Sequence, residues 1–383
     1  MNRVTAYISK YSHDQRIDAH PINDVEISSK KHDFSKLRKQ LGRYKAEKCM
    51  YCKIPFLGAT GDNCICDSHS IPRHSLKKIS KNGHLNNLNS ILQFKLLTTQ
   101  PGISRTGVFK LLCRRCDANI FIDYENFNNY TPSFAENQYN QTTQKILNQI
   151  AMKNFLWSLY SQLSAQNIAY QMPHISAGYE SSLDIYEIDI HDYRNSFERT
   201  KRLSKQNILN NEYSIGFYHI YPRTVPVAFQ GCITPRQSFD GRIINNVYQK
   251  EEKMNHMHLC IFPSDGSTIA LAFSKRKDHS LRPLFQYVRG LGKDDALRAL
   301  IALAIDASEN FFISDSLNIC DYNTDYIKKL AGDTGSFWTT INADTPITSE
   351  FENELKEHAI QHNFHERPLI ADYCNIPNIL IGL

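Results

Sequence analysis

Several features that mark well-known classes of protein are missing from this sequence. The first 15 residues, MNRVTAYISKYSHDQ, contain no apolar run of signal-peptide length, so the sequence predicts against secretion. The longest apolar run, ALRALIALAI, is interrupted by Arg298 and is too short to cross a bilayer. We therefore expect a soluble protein of the cytoplasm that has no membrane partner.

The signatures of common nucleotide-binding and hydrolase sites are also missing. The segment LAGDTGSFW has no P-loop lysine, no GxGxxG follows a predicted strand, and no GxSxG occurs. Internal repeats and low-complexity tracts are missing as well. These absences leave the role of residues 145–383 open between substrate selection, binding of a ligand or protein partner, and homo-oligomerisation.

Length and composition predict more than one domain. The chain has 383 residues, of which 41% are hydrophobic, enough for two cores. Within the first 48 residues, apolar side chains recur at helical spacing at Phe34, Leu37 and Leu41. The predicted divisions are a basic helical leader (1–48), a zinc-binding domain (49–130), a linker (131–144) and a larger domain (145–383).

The pattern of apolar residues predicts an α+β fold. Helices are predicted over 144–166, 183–206 and 293–312, the first from a stripe that contains Ile146, Ile150, Phe155, Leu159 and Leu163. Short alternating or apolar runs bounded by Pro, Gly and Asp predict antiparallel strands over 213–222, 225–233, 257–264 and 267–275. Because the strands are grouped between helices, a βαβ repeat is disfavoured.

The basic charge is confined to the first third of the chain. Residues 1–130 carry 21 Lys and Arg against 11 Asp and Glu, a net charge of +10, whereas the remainder carries 23 against 28, a net charge of −5. A solvated charged face explains most such patterns, but a basic segment beside a cysteine array also favours a phosphate-rich partner. Nucleic acid is therefore the expected partner.

The ten cysteines predict a metal site rather than disulfides. Six of them fall between Cys49 and Cys116, and four of these form two CxxC pairs: Cys49, Cys52, Cys113 and Cys116. Two such pairs can present four sulfurs to one tetrahedral structural Zn²⁺. Cys64 and Cys66 are rival ligands. The scattered cysteines are predicted to be buried thiols: Cys232, Cys260, Cys320 and Cys374.

The segment between the two CxxC pairs contains a histidine motif. It reads CDSHSIPRHSLKKISKNGHL, with His69 and Pro72 in SHSIP, and the second pair continues as CRRCDANIF. This arrangement over residues 49–125 resembles the zinc-stapled HNH (His-Me finger) endonucleases, which have a small hairpin-helix fold of the treble-clef type. The longer run also resembles a loosely defined set of bacterial proteins whose activity is uncharacterised.

The resemblance implies a metal-dependent nuclease that acts on DNA or RNA. In the family the histidine is the general base that activates water, and one Mg²⁺ or Mn²⁺ stabilises the leaving oxygen. Carried over, His69 is the base and Asp117 a metal ligand. Ser68 stands where the family has an Asp, His or Glu ligand, and Asp67 is a neighbouring substitute. The family association also suggests an effector in phage defence.

Less specific roles compete with each of these assignments. His69 is alternatively a packed residue or, less favoured, a metal ligand, and Asp117 is alternatively a helix-start residue favoured by the helix dipole. Glu125, two helical turns later, is expected to be solvent exposed. A non-catalytic zinc module that binds nucleic acid or a protein is therefore the alternative function.

Further basic and histidine residues are candidates for contacts with a ligand. Candidate phosphate contacts are Arg73, Lys77, Lys78 and Lys81, of which Lys77 and Lys81 are expected on one helical edge. An ordinary solvated face fits the same spacing. The HMH segment offers His256 and His258 on one strand face, but without a third ligand we favour a structural role.

Overall fold

The computed structural model describes residues 44–87, 102–171, 179–206, 211–245, 254–308, 310–332 and 367–383. Helices within these residues are α1 (Arg73–Ile79), α2 (Arg114–Ile120), α3 (Ile122–Glu125), α4 (Gln141–Gln171), α5 (Tyr179–Gln206), α6 (Arg282–Gly290), α7 (Lys293–Ala307), α8 (Ile319–Tyr322) and α9 (Asp325–Gly332). Strands are β1 (Ser68–His69), β2 (Leu85–Asn87), β3 (Val108–Phe109), β4 (Tyr213–Tyr221), β5 (Val227–Ile233), β6 (Met257–Ser264), β7 (Ser267–Lys275) and β8 (Phe311–Ser314). The predicted α+β class is confirmed.

Six strands form one antiparallel sheet in the order β2-β8-β5-β6-β7-β4. Successive side chains of a strand point to opposite faces. In β6, Leu259 and Ile261 enter the apolar cluster that also contains α7, whereas Cys260 and Phe262 enter the cluster that contains α4. The sheet is therefore the middle of three layers, with helices packed on both of its faces.

The second, small sheet carries the histidine motif. Strand β1 pairs with β3 in antiparallel register, with Ser68 opposite Phe109 and His69 opposite Val108. Its surroundings belong to the same apolar cluster as α4, which includes Cys113 and Phe109. Residues on both sides of the predicted linker thus share one core. The division into domains stays a prediction.

The lengths of several predicted elements differ from the structure. The helix predicted over 293–312 ends at Ala307, and Phe311 and Phe312 lie in β8. The apolar character of Phe311 and Phe312 fits a helix as well as a strand. Pairing with β5 places both residues in a strand. Residues 131–140 form turns before α4 begins at Gln141.

Most of the predicted leader helix lies outside the described residues. Its last five residues, 44–48, are not helical, and Lys48 forms a β-bridge with Pro55. Among the helices that the structure describes, none has both the length and the apolar character needed to span a membrane.

Candidate metal centre and histidine site

Four cysteine thiols converge between the two predicted knuckles. The sulfurs of Cys49, Cys52, Cys113 and Cys116 all lie within 4.8 Å of one another. Cys52 Sγ and Cys113 Sγ are 3.8 Å apart. In a tetrahedral site with Zn–S bonds of about 2.3 Å the sulfurs are separated by about 3.8 Å. The four residues therefore fit a closed four-sulfur metal site, as the two CxxC pairs predicted.

Local backbone geometry places these thiols. The first knuckle closes when the backbone N–H of Lys53 donates to Cys49 O at 2.8 Å, with Lys53 in the left-handed region at a φ of 65°. Cys113 is the N-cap of α2, so Cys116 follows one turn later on the same side of the helix. The Cys113 N–H donates to Cys49 Sγ at 3.4 Å, which links the two knuckles.

The acidity of the thiols is consistent with metal binding. Burial raises the pKa of the Cys49 and Cys116 thiols. Burial also acts to raise the pKa of Cys52, but hydrogen bonds from the Ile54 backbone and from the neighbouring thiols bring this pKa down to about 7. Buried thiols of this kind ionise when a divalent ion coordinates them, because the ion stabilises the thiolate.

The two rival cysteines have other partners. The Cys64 thiol donates to Ala59 O at 3.2 Å. Cys66 Sγ lies 3.4 Å from both Ser68 Oγ and Leu112 O, and burial raises its pKa to about 11. Neither joins the four-sulfur cluster.

Of the four scattered cysteines, Cys232 and Cys260 are buried as predicted, but Cys320 and Cys374 are exposed. A single cysteine in the sequence carries no pattern that shows whether its side chain faces the core or the solvent.

Helix α5 holds the first knuckle from outside. Lys201 Nζ donates to Met50 O at 3.3 Å, and the ammonium groups of Lys201 and Lys205 lie 5.5 Å and 5.1 Å from the centre of the Tyr51 ring. Lys53 forms an ion pair with Glu198 of the same helix. The knuckle is therefore fixed by a helix that belongs to the predicted C-terminal domain.

His69 lies half-buried in β1, and its Nε2 is 3.1 Å from Ile103 O. A carbonyl oxygen can only accept, so Nε2 carries the proton and Nδ1 carries the lone pair. Burial lowers the pKa of this imidazole, and the charges of Lys153 and Arg73 lower it further, against the hydrogen bond to Ile103 O and the charge of Asp117, which raise it. His69 is therefore a neutral base at physiological pH.

Asp117 is bound by a lysine that the sequence did not single out. Asp117 Oδ1 accepts from Lys153 Nζ at 2.9 Å, and the side chain of Lys153 is only 2% exposed. Glu125 is exposed, as predicted, and its Oε1 lies 3.6 Å from the same ammonium. The side chain of His69 thus contacts a backbone carbonyl, whereas that of Asp117 contacts Lys153. The two predicted catalytic residues influence each other only through charge.

A signal for Lys153 existed in the sequence. It lies in α4 beside Met152 and Asn154, three positions after Ile150, inside a stretch where nearly every side chain is buried. A lysine within a wholly buried helical stretch requires a charge partner. The sequence could therefore indicate that Lys153 has a charged partner, but it could not identify Asp117 as that partner.

The predicted phosphate contacts are exposed, with one correction to their arrangement. Helix α1 ends at Ile79 because Ser80 adopts extended backbone angles, and Asp315 accepts from the backbone N–H groups of Lys81 and Asn82. Lys81 therefore lies beyond the helix and shares no helical edge with Lys77. On α1 itself, Arg73 and Lys77 are exposed one turn apart, whereas Lys78 is paired with Asp265.

The two histidines of HMH have structural partners. His258 Nδ1 lies 3.3 Å from Asn154 Nδ2, and His256 Nδ1 lies 3.1 Å from Thr234 Oγ1. Both rings are buried, and His258 stacks on Phe273. Among the described residues, neither belongs to a group of three metal-binding side chains.

Comparison with protein-family models, with curated proteins and with solved structures gave no match to this chain. The likeness to HNH endonucleases therefore rests on the motif residues and on the four-cysteine cluster.

Proposed function

We propose that the chain is a zinc-stapled nuclease of the HNH type, in which Cys49, Cys52, Cys113 and Cys116 hold one structural Zn²⁺ in a treble-clef module. Zinc supplies folding energy to such a module and takes no part in the chemistry. The cluster supports the metal because its sulfur spacing matches a tetrahedral thiolate site.

The observation that carries the catalytic part is the contact between His69 Nε2 and Ile103 O. The Nε2–H of His69 donates to Ile103 O, which leaves the Nδ1 lone pair as the proton acceptor, and its lowered pKa keeps the ring neutral. A general base needs both properties, since it must be unprotonated at working pH and held in one orientation. Arg73, exposed and close enough to lower the pKa of His69, supplies positive charge beside the base.

The predicted catalytic Mg²⁺ or Mn²⁺ does not fit the contacts of Asp117. Its carboxylate is already neutralised by a buried ammonium at 2.9 Å. We therefore derive no catalytic step through a divalent ion at Asp117.

The same ion pair favours the alternative function, a zinc module that binds nucleic acid without cleaving it. In that case Arg73 and Lys77 contact phosphates, and affinity falls steeply with salt because counterions are released. Binding to nucleic acid by the first 130 residues stays a prediction, as do a protein partner, a homo-oligomer and a role in phage defence.

The deciding experiment is a cleavage assay of the wild type, His69→Ala and His84→Ala. Substrates are supercoiled DNA, single strands and structured RNA, each with Mg²⁺, with Mn²⁺ and without either. His69→Ala should lower the cleavage rate at least about 100-fold, with zinc content and affinity unchanged, because only the transition state uses the base. His84 is exposed and serves as the matched histidine control. Salt-dependent binding without cleavage by the wild type would select the non-catalytic module.

A further inference from the structure

The environment of Lys153 shows what holds Asp117. The ammonium lies 2.9 Å from Asp117 Oδ1, 3.6 Å from Glu125 Oε1 and 4.0 Å from the centre of the Phe121 ring. All three partners are anions or a π face, the surroundings that stabilise a cation. Lys153 thus occupies the position in which a divalent ion would neutralise the two carboxylates.

Displacement of this ammonium would be unfavourable. The Lys153 side chain is 2% exposed, so turning its charge into water would require the side chains packed around it to move. A divalent ion at Asp117 would leave a buried ammonium beside a second positive charge, and a buried charge without a partner is strongly destabilising. Asp117 therefore stays paired with Lys153 and does not bind a divalent ion.

The other residues that the motif offers as metal ligands are also engaged. Ser68 is buried with its Oγ 3.4 Å from Cys66 Sγ, and Asp67 is paired with Lys110 at 3.0 Å. Within the part of the chain that the structure describes, the four cysteines are the one group of three or more His, Cys, Asp or Glu side chains with metal-binding geometry.

We infer that the histidine site works without a divalent cation and that its substrate is RNA, whose own 2′-hydroxyl supplies the nucleophile. The inference rests on the proposed function for the role of His69. Cleavage of DNA requires activation of an external water, for which enzymes of this kind use a metal ion. A 2′-hydroxyl is held next to its phosphorus by the substrate itself, and well-oriented intramolecular nucleophiles have effective concentrations of about 10⁵–10⁸ M.

The reaction needs one base and no cofactor. His69 Nδ1 takes the proton of the 2′-hydroxyl, the 2′-oxygen forms a bond to phosphorus, and the bond from phosphorus to the 5′-oxygen breaks. The departing 5′-oxygen takes a proton from water, and the imidazolium returns its proton to solvent. The products are a 2′,3′-cyclic phosphate and a 5′-hydroxyl, so atoms and charge balance without oxidant, reductant or metal.

The first test compares polymers in buffer free of Mg²⁺ and Mn²⁺, using the zinc-loaded 383-residue chain. We expect the wild type to cleave single-stranded RNA to 2′,3′-cyclic phosphate ends, and to leave DNA of the same sequence intact. One 2′-deoxynucleotide placed at the mapped cleavage position should block cleavage there. Cleavage of DNA that depends on Mg²⁺ and is lost in Asp117→Asn would overturn the inference while the proposed nuclease function stands.

The second test does not use cleavage. Mn²⁺ is titrated into zinc-loaded wild type and Asp117→Asn, and bound Mn²⁺ is measured by electron paramagnetic resonance. We expect the two proteins to bind the same amount, because Lys153 excludes the ion from Asp117. A Mn²⁺ site present in the wild type and lost in Asp117→Asn would overturn the inference. No cleavage of either polymer would reject the proposed function and the RNA assignment together, and the titration would still test the exclusion of divalent ions from Asp117.

Discussion

At the scale of single residues, Cys113 has two roles. The residue is the N-cap of α2, and its sulfur lies 3.8 Å from that of Cys52, 61 positions earlier in the sequence. Spacing alone predicted the four sulfur ligands, because CxxC geometry is local and each pair needs only one tight turn. Spacing left Cys64 and Cys66 as rival ligands, and the structure decides against them because Ala59 O and Leu112 O lie next to their thiols.

Replacement of Cys113 by Ser should remove zinc. Purified wild type should contain about one zinc per chain, and Cys113→Ser much less, because a serine hydroxyl is a poor ligand for Zn²⁺. Cys64→Ser is the matched control and should keep its zinc, since that thiol contacts a backbone carbonyl instead. Mass spectrometry of the metal decides. Stoichiometric zinc in Cys113→Ser would contradict the assigned ligand set.

A second residue-scale prediction compares two lysines of α4. Lys153→Met should lower the free energy of unfolding by about 2 kcal/mol, less than for a fully buried pair because Asp117 is 26% exposed. Lys145→Met removes an ion pair of the same length, 2.9 Å to Asp123, but from a lysine that is 52% exposed, and should lose less than about 1 kcal/mol. Urea unfolding measures both. Equal losses would show that burial of Lys153 adds nothing.

At the scale of elements, long periodic segments were predicted best. The helix expected over 144–166 spans Gln141–Gln171, and the stripe residues assigned to its apolar face are buried. The four expected strands are β4 to β7. Strand β2 was not predicted, because its three residues carry no pattern of their own and become a strand only through pairing with β8. Tertiary contact of this kind overrides local preference.

Packing between β4 and α6 depends on the absence of one side chain. Gly216 lies at a register irregularity of β4, and a Cβ there would overlap the ring of Phe285 from α6. Gly216→Ala should therefore cost about 1–3 kcal/mol of stability, since a close-packed core resists added volume. Gly290→Ala, where a Cβ meets only open space, is the control and should be neutral or better. A Gly216→Ala protein with an unchanged thermal midpoint would contradict the packing.

At the scale of the whole molecule, four histidines make stability depend on pH. Burial lowers the pKa of His69, His74, His219 and His258 below the usual value of about 6.5. Between the folded and unfolded pKa values the unfolded chain binds more protons than the folded protein does. Stability therefore rises with pH through this window and falls as pH drops below about 6.5.

The fully buried His258 sets the expected size of this effect. Its pKa lies well below 6.5, so protonation of the unfolded chain alone should cost about 1.4 kcal/mol at pH 5.5. Urea unfolding at pH 7.5 and pH 5.5 measures the loss of stability. Zinc content is measured at both pH values, so that a loss of stability caused by metal release is recognised. His258→Gln should reduce the difference between the two pH values. The same difference in both proteins would remove His258 from the acid response.

The pairing of β2 with β8 has a consequence for how the protein is made. Asn86 donates to Ser314 O across 228 residues of sequence, so the partner of this edge strand does not exist when the ribosome has just completed β2. At typical rates of synthesis the wait is roughly 10–45 s. All four clustered cysteines are already present on the nascent chain by residue 116, whereas the edge of the sheet stays open until residue 314 emerges. During that interval β2 has no partner strand, so its backbone groups are open to mispairing with other chains.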